Sequence, residues 1–174
     1  MLAAEPATDR FRSELSVPAS HGIVAPFAVG IGGGVARRFG SWASLGVGVE
    51  AWPTRSHPVG AGRVNVTAAT LALVACAEHR FGRLTLAGCG LPHLGIYALS
   101  ADDYPIVRDE YRPLVALEAN ARLSLALADG LGVFVRGGVW LPFTLLDVTV
   151  AGSDSGFRTT TWGPKGAFGI ELNH

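Results

Sequence analysis

Apolar and polar residues alternate along most of this chain, most regularly from Pro113 to Pro142. Between Val115 and Leu127 every second residue is apolar, and a period of two places successive side chains on opposite faces of a strand. After the turn signal Asp129-Gly130 the alternation resumes and continues to Leu141. One face of the predicted hairpin is therefore apolar, and the other carries polar side chains: Glu118, Asn120, Arg122, Ser124 and Arg136.

The same pattern predicts seven strands in all, separated alternately by short turns and by longer loops. These strands cover residues 27–36, 44–52, 63–77, 84–97, 115–127, 131–141 and 158–174. The longer loops are predicted at 53–62, 99–112 and 151–158, and Pro92 predicts a bulge in its strand. This rhythm is typical of an antiparallel up-and-down β-barrel, which closes with an even number of strands. The eighth strand is expected either at residues 9–18 or upstream of the chain, in which case the barrel has an open edge.

Composition decides which face of these strands meets water. A soluble barrel covers its outside with charges, usually many lysines, whereas this chain has 14 Lys plus Arg and Lys165 is its single lysine. The sequence is 49% hydrophobic with a mean hydropathy of +0.34, yet no run reaches the 18 apolar residues of a membrane helix. Strands of 9 to 11 residues with an apolar outer face predict a transmembrane barrel. The alternative is a soluble lipocalin-like barrel whose apolar face lines a ligand cavity.

The chain resembles the small outer-membrane β-barrel proteins of Gram-negative bacteria over roughly residues 22–174. The resemblance lies in its glycine-rich alternating strands, the Cys76/Cys89 pair beside a short turn, and the C-terminal segment G-A-F-G-I-E-L-N-H. It implies a barrel domain at 22–174, preceded by an extension or weak first strand at 1–21. It also implies that the protein lies in the bacterial outer membrane, and no signal peptide is visible in the sequence. In that class the terminal strand is recognised by the barrel-insertion machinery. Here Phe168, Ile170 and Leu172 fit this signal, but His174 replaces the usual final aromatic residue.

The only two cysteines are expected to form a disulfide across a hairpin. If Gly82-Arg83 is a two-residue turn, Cys76 faces Cys89 on the inward side of neighbouring strands. An exported protein would also meet an oxidising compartment. The alternative is a zinc site that adds His79 and His93, but both are badly placed: His79 has the opposite parity to Cys76, and His93 lies roughly 13 Å along the strand from Cys89. No metal and no cofactor are predicted.

The polar residues on the inward face are expected to form one cluster inside the barrel. Because charges in a narrow lumen must pair or be hydrated, the cluster predicts a lumenal plug of ion pairs and hydrogen bonds. A proton- or solute-binding pocket is the functional alternative. The cluster comprises Glu50, Glu118, Asn120, Arg122, Ser124, Arg136 and Glu171.

No convincing catalytic set is visible, and the chain is not predicted to be an enzyme. A lipid-modifying enzyme would need a serine and a histidine at one rim, and the candidates are Ser155 in the loop G-S-D-S-G with His21, His57 or His93. The predicted role is therefore structural, or interaction with partners at the cell surface through the longer loops.

The predicted partners are membrane lipid and the insertion machinery. A net charge of zero excludes the basic footprint of a nucleic-acid binder, and a monomer is expected. Aromatic residues near strand ends are expected to form an interfacial girdle, or else to be scattered through the barrel. They are Trp52, Tyr97, Tyr104, Tyr111, Trp140 and Trp162.

Overall fold

The computed structural model describes residues 10–24, 26–60, 62–102, 110–149 and 156–174. None of these residues belongs to a helix that is long and apolar enough to cross a bilayer. The described chain forms strands in the following order: β1 Arg10–Ser20, β2 Ala28–Val29, β3 Ile31–Phe39, β4 Ala43–Val59, β5 Gly62–Phe81, β6 Leu84–Asp102, β7 Glu110–Ala128, β8 Leu131–Pro142, β9 Asp147–Thr149, β10 Gly156–Arg158 and β11 Gly163–Asn173.

Eight of these strands form a closed antiparallel barrel, which confirms the predicted fold class. From β3 to β8 each barrel strand pairs with the next in sequence; β1 pairs with β3, and β11 pairs with β8 on one side and β1 on the other. The short strand β2 adds two pairs to β1, and β9 with β10 makes a separate hairpin. The missing eighth strand is supplied by Arg10–Ser20, so the expectation of an open edge is wrong.

The apolar set of side chains faces outward and the polar set faces the lumen. Exposed leucines, valines and isoleucines cover the outside of every barrel strand, whereas the charged residues of the alternate positions are buried. A soluble lipocalin-like barrel requires the reverse arrangement, so that alternative is wrong. The exposed apolar residues include Leu15, Ile31, Val35, Leu45, Val47, Leu71, Leu73, Leu86, Leu94, Leu123, Leu125, Val135, Phe168 and Ile170.

Strand β5 marks where this apolar belt ends. Its outward residues from Ala77 to Ala69 are alanine and leucine, and the next outward residues are Thr67, Asn65 and Arg63. The apolar stretch therefore covers 9 residues, the length that a tilted strand needs to cross a bilayer. Beyond Thr67 the strand continues on the loop side, where its outward face is hydrophilic.

The predicted loop at 53–62 is largely strand, and the described ends of the predicted loop at 99–112 are also strand, which is a correction. Residues 103–109 of that loop lie outside the described residues. Strand β4 runs on to Val59, and β6 runs on to Asp102. Pro53 is accommodated by a register shift between Trp52 and Arg55. The expected bulge at Pro92 is also wrong, because the pairing of β5 with β6 keeps one register on both sides of it. Most of the third loop, at 151–158, lies outside the described residues.

Exposed aromatic residues lie at both ends of the barrel, but most of them are not the ones expected from the sequence. Trp52, Tyr97 and Trp140 are buried in the lumen, so their assignment to a girdle is wrong. Tyr104 lies outside the described residues. Apart from Phe168 within the belt, the exposed aromatics of the described residues are Phe11, Phe39, Trp42 and Phe81 at the turn end and Phe27, Tyr111, Phe143 and Trp162 at the loop end.

An arginine scan of β5 should map the apolar belt. Leu73→Arg, near the middle of the belt, is expected to lower the free energy of unfolding by about 2–4 kcal/mol, because it puts a charge in hydrocarbon. Thr67→Arg on the same face is the control and should cost about 0–1 kcal/mol. Urea unfolding of the protein in lipid vesicles measures both values, and equal costs would place the belt elsewhere.

Candidate functional site: the lumen

The lumen is a space shared by the inward residues of all eight barrel strands. Small residues on β3 and β4 leave room for long charged side chains from the opposite wall. At Gly46 the two strands approach each other so closely that a Cβ there would lie 2.3 Å from the carbonyl oxygen of Val35 on β3. Most of the inward charges come from the other strands, and β3 and β4 contribute Arg38 and Glu50.

Lys165 is the centre of the loop-side part of the lumen. Its Nζ lies 2.6 Å from Glu50 Oε2 and 2.5 Å from Glu118 Oε2, and all three side chains are buried. Asn120 Nδ2 donates to the other oxygen of Glu118 at 2.6 Å, and His93 Nε2 lies 3.3 Å from Glu118 Oε2. The single lysine of the chain thus bridges two carboxylates from β4 and β7.

Two arginines continue this network toward the middle of the barrel. Arg136 Nη2 lies 2.7 Å from Glu50 Oε1, and its Nη1 lies 3.6 Å from Glu14 Oε1. Arg122 also pairs with Glu14, lies 2.7 Å from Glu171 Oε2, and stacks 3.8 Å from the ring centre of Phe134. One connected chain of ion pairs therefore runs from Glu171 to Glu118.

A separate ion cluster lies nearer the turn end. Glu78 accepts hydrogen bonds from Arg12 and Arg38, each at 2.9 Å, and from Ser44 at 2.5 Å. This cluster carries two cations against one carboxylate, whereas the larger network carries three cations against four carboxylates. Leaving His93 aside, the two clusters together carry five cations against five carboxylates, so their charges balance, as burial in a narrow space requires.

All seven residues of the predicted polar cluster lie buried in the lumen. The structure brings six of them into the larger network directly, and Ser124 joins it by accepting from Arg122 Nε at 3.1 Å. Sequence reasoning missed several partners: Arg12, Glu14, Arg38, Glu78, His93 and Lys165. The alternation along each strand could have identified them as inward residues. Lys165 lies on the same face of its strand as Glu171, and Glu78 lies on the same face as Cys76.

Above the network, an apolar cluster closes the loop end of the barrel; we call it the roof. Trp52, Tyr97 and Trp140 form its base, and Lys165 Nζ lies 4.7 Å from the ring centre of Trp140. Ile23 and Val24, from the segment between β1 and β2, fold into the mouth of the barrel and are completely buried. Further members come from the strand extensions and from the residue before β9: Val59, Val64, Val66, Leu99, Leu114 and Leu146.

Comparison with known proteins agrees with this architecture. No protein-family model matches the chain, and no curated protein matches it in sequence. Among solved structures, it is similar to a major outer membrane protein from Thermus thermophilus, with a TM-score of 0.62, 14% identity, and coverage of 93% of this chain and 99% of that one. Neisserial surface protein A gives 0.58 at 7% identity, with coverage of 94% and 96%. Ail, the attachment invasion locus protein of Yersinia pestis, gives 0.57 at 9% identity, with coverage of 95% and 97%.

The chain has the fold of bacterial outer-membrane β-barrel proteins. This fold, with the apolar belt, confirms the resemblance predicted from the sequence and the expected contact with membrane lipid. At these sequence identities the similarity to solved structures supports only the architecture. The role of the outer-membrane barrel therefore has to be argued from its own residues.

The predicted disulfide of this outer-membrane barrel is present. Cys76 and Cys89 are directly opposite each other on β5 and β6, and their sulfurs are bonded. They lie in a small apolar cluster with Ala72, Ala87 and Leu91. The bond uses both thiolates that the alternative zinc site would need. Within the described parts of the chain, no group of three or more His, Cys, Asp and Glu residues could hold a metal ion.

The histidines proposed for catalysis do not converge. His93 is enclosed beneath the roof, where its ring packs edge-on against Trp140 with 4.8 Å between ring centres. His57 Nε2 lies 2.5 Å from the carbonyl oxygen of Val24. Ser155 and Asp154 lie outside the described residues. His93 thus lies among lumenal residues, 3.3 Å from Thr70 Oγ1 and 3.3 Å from Glu118 Oε2, whereas His57 contacts the backbone. His21 is exposed at the loop end.

Replacing Lys165 tests whether the network holds the barrel together. Lys165→Met should lower the free energy of unfolding by about 3–5 kcal/mol, because it leaves Glu50 and Glu118 buried without their shared cation. Urea unfolding in detergent micelles measures the change. Arg112→Met is the control, since Arg112 pairs with Glu110 on the surface, and it should cost about 0–1 kcal/mol. Similar small losses for both variants would contradict a structural network.

Proposed function

We propose that this protein is an outer-membrane barrel with a plugged lumen, acting as a structural or surface-interaction protein and not as a channel or an enzyme. The observation that carries the proposal is the bridge from Lys165 to Glu50 and Glu118, directly beneath the roof. An eight-stranded barrel has an interior just wide enough to be filled by side chains. Here the filling is ionic in the lower part and apolar at the loop end.

Opening a path through this lumen would be costly. The network joins residues of β1, β4, β7, β8 and β11, so a solute could pass only by separating buried pairs on several walls. Removing one partner of a buried pair costs about 3–5 kcal/mol. A solute would also have to displace the tryptophans of the roof. This energetic barrier favours a permanent plug over a gated pore.

The loop end offers the surface for interaction with partners. Strands β4, β5 and β6 rise beyond the apolar belt, and their outward faces carry hydroxyl, amide and carboxylate groups. Ser56 donates to Asn65 Oδ1 at 2.5 Å, and Asn65 donates to Asp102 Oδ2 at 2.6 Å. The inner face of the same wall packs on the roof, which gives this exposed surface a rigid support. The names of two similar structures, a surface protein and an attachment invasion locus protein, are consistent with such a role.

Electrical recording tests the plug. The purified barrel in planar lipid bilayers should give no discrete conductance steps, because ion pairs and the roof fill its lumen. A porin of about 16 strands recorded in the same bilayers is the positive control, since its barrel leaves an aqueous channel. Trp52→Gly/Trp140→Gly, which weakens the roof but keeps the ion pairs, should also stay silent. Reproducible steps from the unmodified protein would refute the plug.

Thiol labelling on intact bacteria tests which end of the barrel faces the cell exterior. Both native cysteines are bonded, so one introduced cysteine is the only free thiol. Ser56→Cys on the loop side should react with a membrane-impermeant maleimide on intact cells. Ser41→Cys, in the turn between β3 and β4, is the matched control and should react only after the cells are permeabilised. The opposite pattern would exclude the proposed surface role for the β4–β6 wall.

Two expectations about partners stay predictions. The C-terminal strand β11 presents Phe168, Ile170 and Leu172 outward, as a recognition signal for the barrel-insertion machinery would require. The closed barrel supports the expected monomer, since no described barrel strand has an unpaired edge that could pair with a second copy.

A further inference from the structure

We infer that a groove on the outer wall of the barrel holds an acyl chain of a membrane lipid, with the lipid headgroup beyond the loop-side end of the groove. This lateral groove has a volume of about 610 Å³ and crosses β1, β3, β4, β5 and β6. Ala51 and Ala69 lie opposite each other in its floor. Its walls are large apolar residues that face the same way: Leu15, Ile31, Val49, Leu71 and Leu94.

The order of side chains across the strands explains why a groove forms here. One row of paired residues runs Ile31, Ala51, Ala69, Ile96, so that two alanines lie between two isoleucines. The adjacent row toward the turn side contains Val49, Leu71 and Leu94. The small pair is therefore bounded on three sides by branched side chains. A depression with these dimensions presents apolar surface to a flexible hydrocarbon chain on several sides at once.

Beyond the groove, toward the loop side, the outer wall becomes polar. Thr67 follows Ala69 by two residues on β5, which is about 7 Å along the strand. Its Oγ1 lies 2.7 Å from Thr54 Oγ1, and both threonines are on the outer surface. The hydrogen-bonded pair of Ser56 and Asn65 comes next along the same wall. The outer wall thus changes from an apolar groove in the hydrocarbon belt to hydroxyl and amide groups beyond it, which is the sequence of environments along a membrane lipid from tail to head.

The position of the groove identifies the occupant. The groove is continuous with the apolar belt, which already contacts lipid, and its large apolar lining residues are exposed on the outer surface of the barrel. A second depression, of about 510 Å³, lies on the wall formed by β6, β7 and β8 and is lined by Gly88, Ala119, Ala121, Gly137 and their neighbours. Backbone and small residues form nearly all of its lining, and no polar ladder ends it. It provides a matched control for ordinary lipid contact.

Native mass spectrometry of the purified full-length barrel tests the inference. The probe is dimyristoyl-phosphatidylglycerol added to the protein in detergent, and a single retained lipid is expected on the unmodified protein. Ala69→Phe fills the groove and should lower the population of the one-lipid species by about tenfold, because excluding only two methylene groups has that effect on affinity. Ala121→Phe, in the second depression, should leave the one-lipid species unchanged. Ala51→Phe, opposite Ala69, should repeat the loss.

Several outcomes would overturn the inference. They are an unmodified protein that retains no lipid, equal losses for Ala69→Phe and Ala121→Phe, or a dimer that Ala69→Phe alone removes. The last result would mean that a second copy of the chain occupies the groove. Heat-dependent mobility on gels checks that each variant is folded. If only one of Ala51→Phe and Ala69→Phe folds, the lipid retained by that variant is sufficient to decide the test. The test does not depend on the plug, because the lumen is unchanged in all of these variants.

Discussion

Closure of the sheet between β1 and β11 is the constraint on which this structure depends. In hydrocarbon each unsatisfied backbone N–H or C=O costs several kcal/mol, so a sheet that crosses a bilayer must have no free edge. Pairing from Arg12 with Asn173 to Ser20 with Lys165 removes that edge. The same closure brings the inward residues of eight strands into one narrow space. Charges there can persist only if they pair, and the pairing of Lys165, Arg122 and Arg136 with four glutamates is the result.

Alternation predicted the strands, the two faces and the disulfide because these features depend only on local geometry. A period of two assigns each side chain to a face, and a two-residue turn at Gly82-Arg83 fixes which residues of β5 and β6 are opposed. Cys76 and Cys89 could therefore be paired from the sequence alone. The belt was predictable for the same reason, since lipid selects apolar residues at every outward position.

The lengths of the strands could not be predicted so well. Pro53, Pro58 and the polar residues between them are typical of a loop, yet β4 continues through them. Outside the bilayer the outer face of a strand meets water, so it no longer shows the apolar pattern that identifies a transmembrane strand. The first strand was obscured in a related way: Ser13 interrupts the apolar outward row between Phe11 and Leu15. The partners of the lumenal charges were also hidden, because contacts across the barrel, such as Arg12 with Glu78, depend on its stagger.

Because of the roof, the apolar residues of this small barrel are buried in two ways, in the hydrocarbon of the bilayer and inside the protein. The outer belt of Leu73 and its neighbours leaves water by entering hydrocarbon, whereas Ile23, Val24 and Leu114 are hidden from the aqueous phase by the protein itself. This second kind of burial does not need the bilayer, and it carries the heat-capacity signature of apolar surface withdrawn from water. The loop end is accordingly a miniature globular core built on top of a membrane protein. Cooling and urea act on that core as they act on a soluble domain, while the belt below it responds to the thickness and composition of the bilayer.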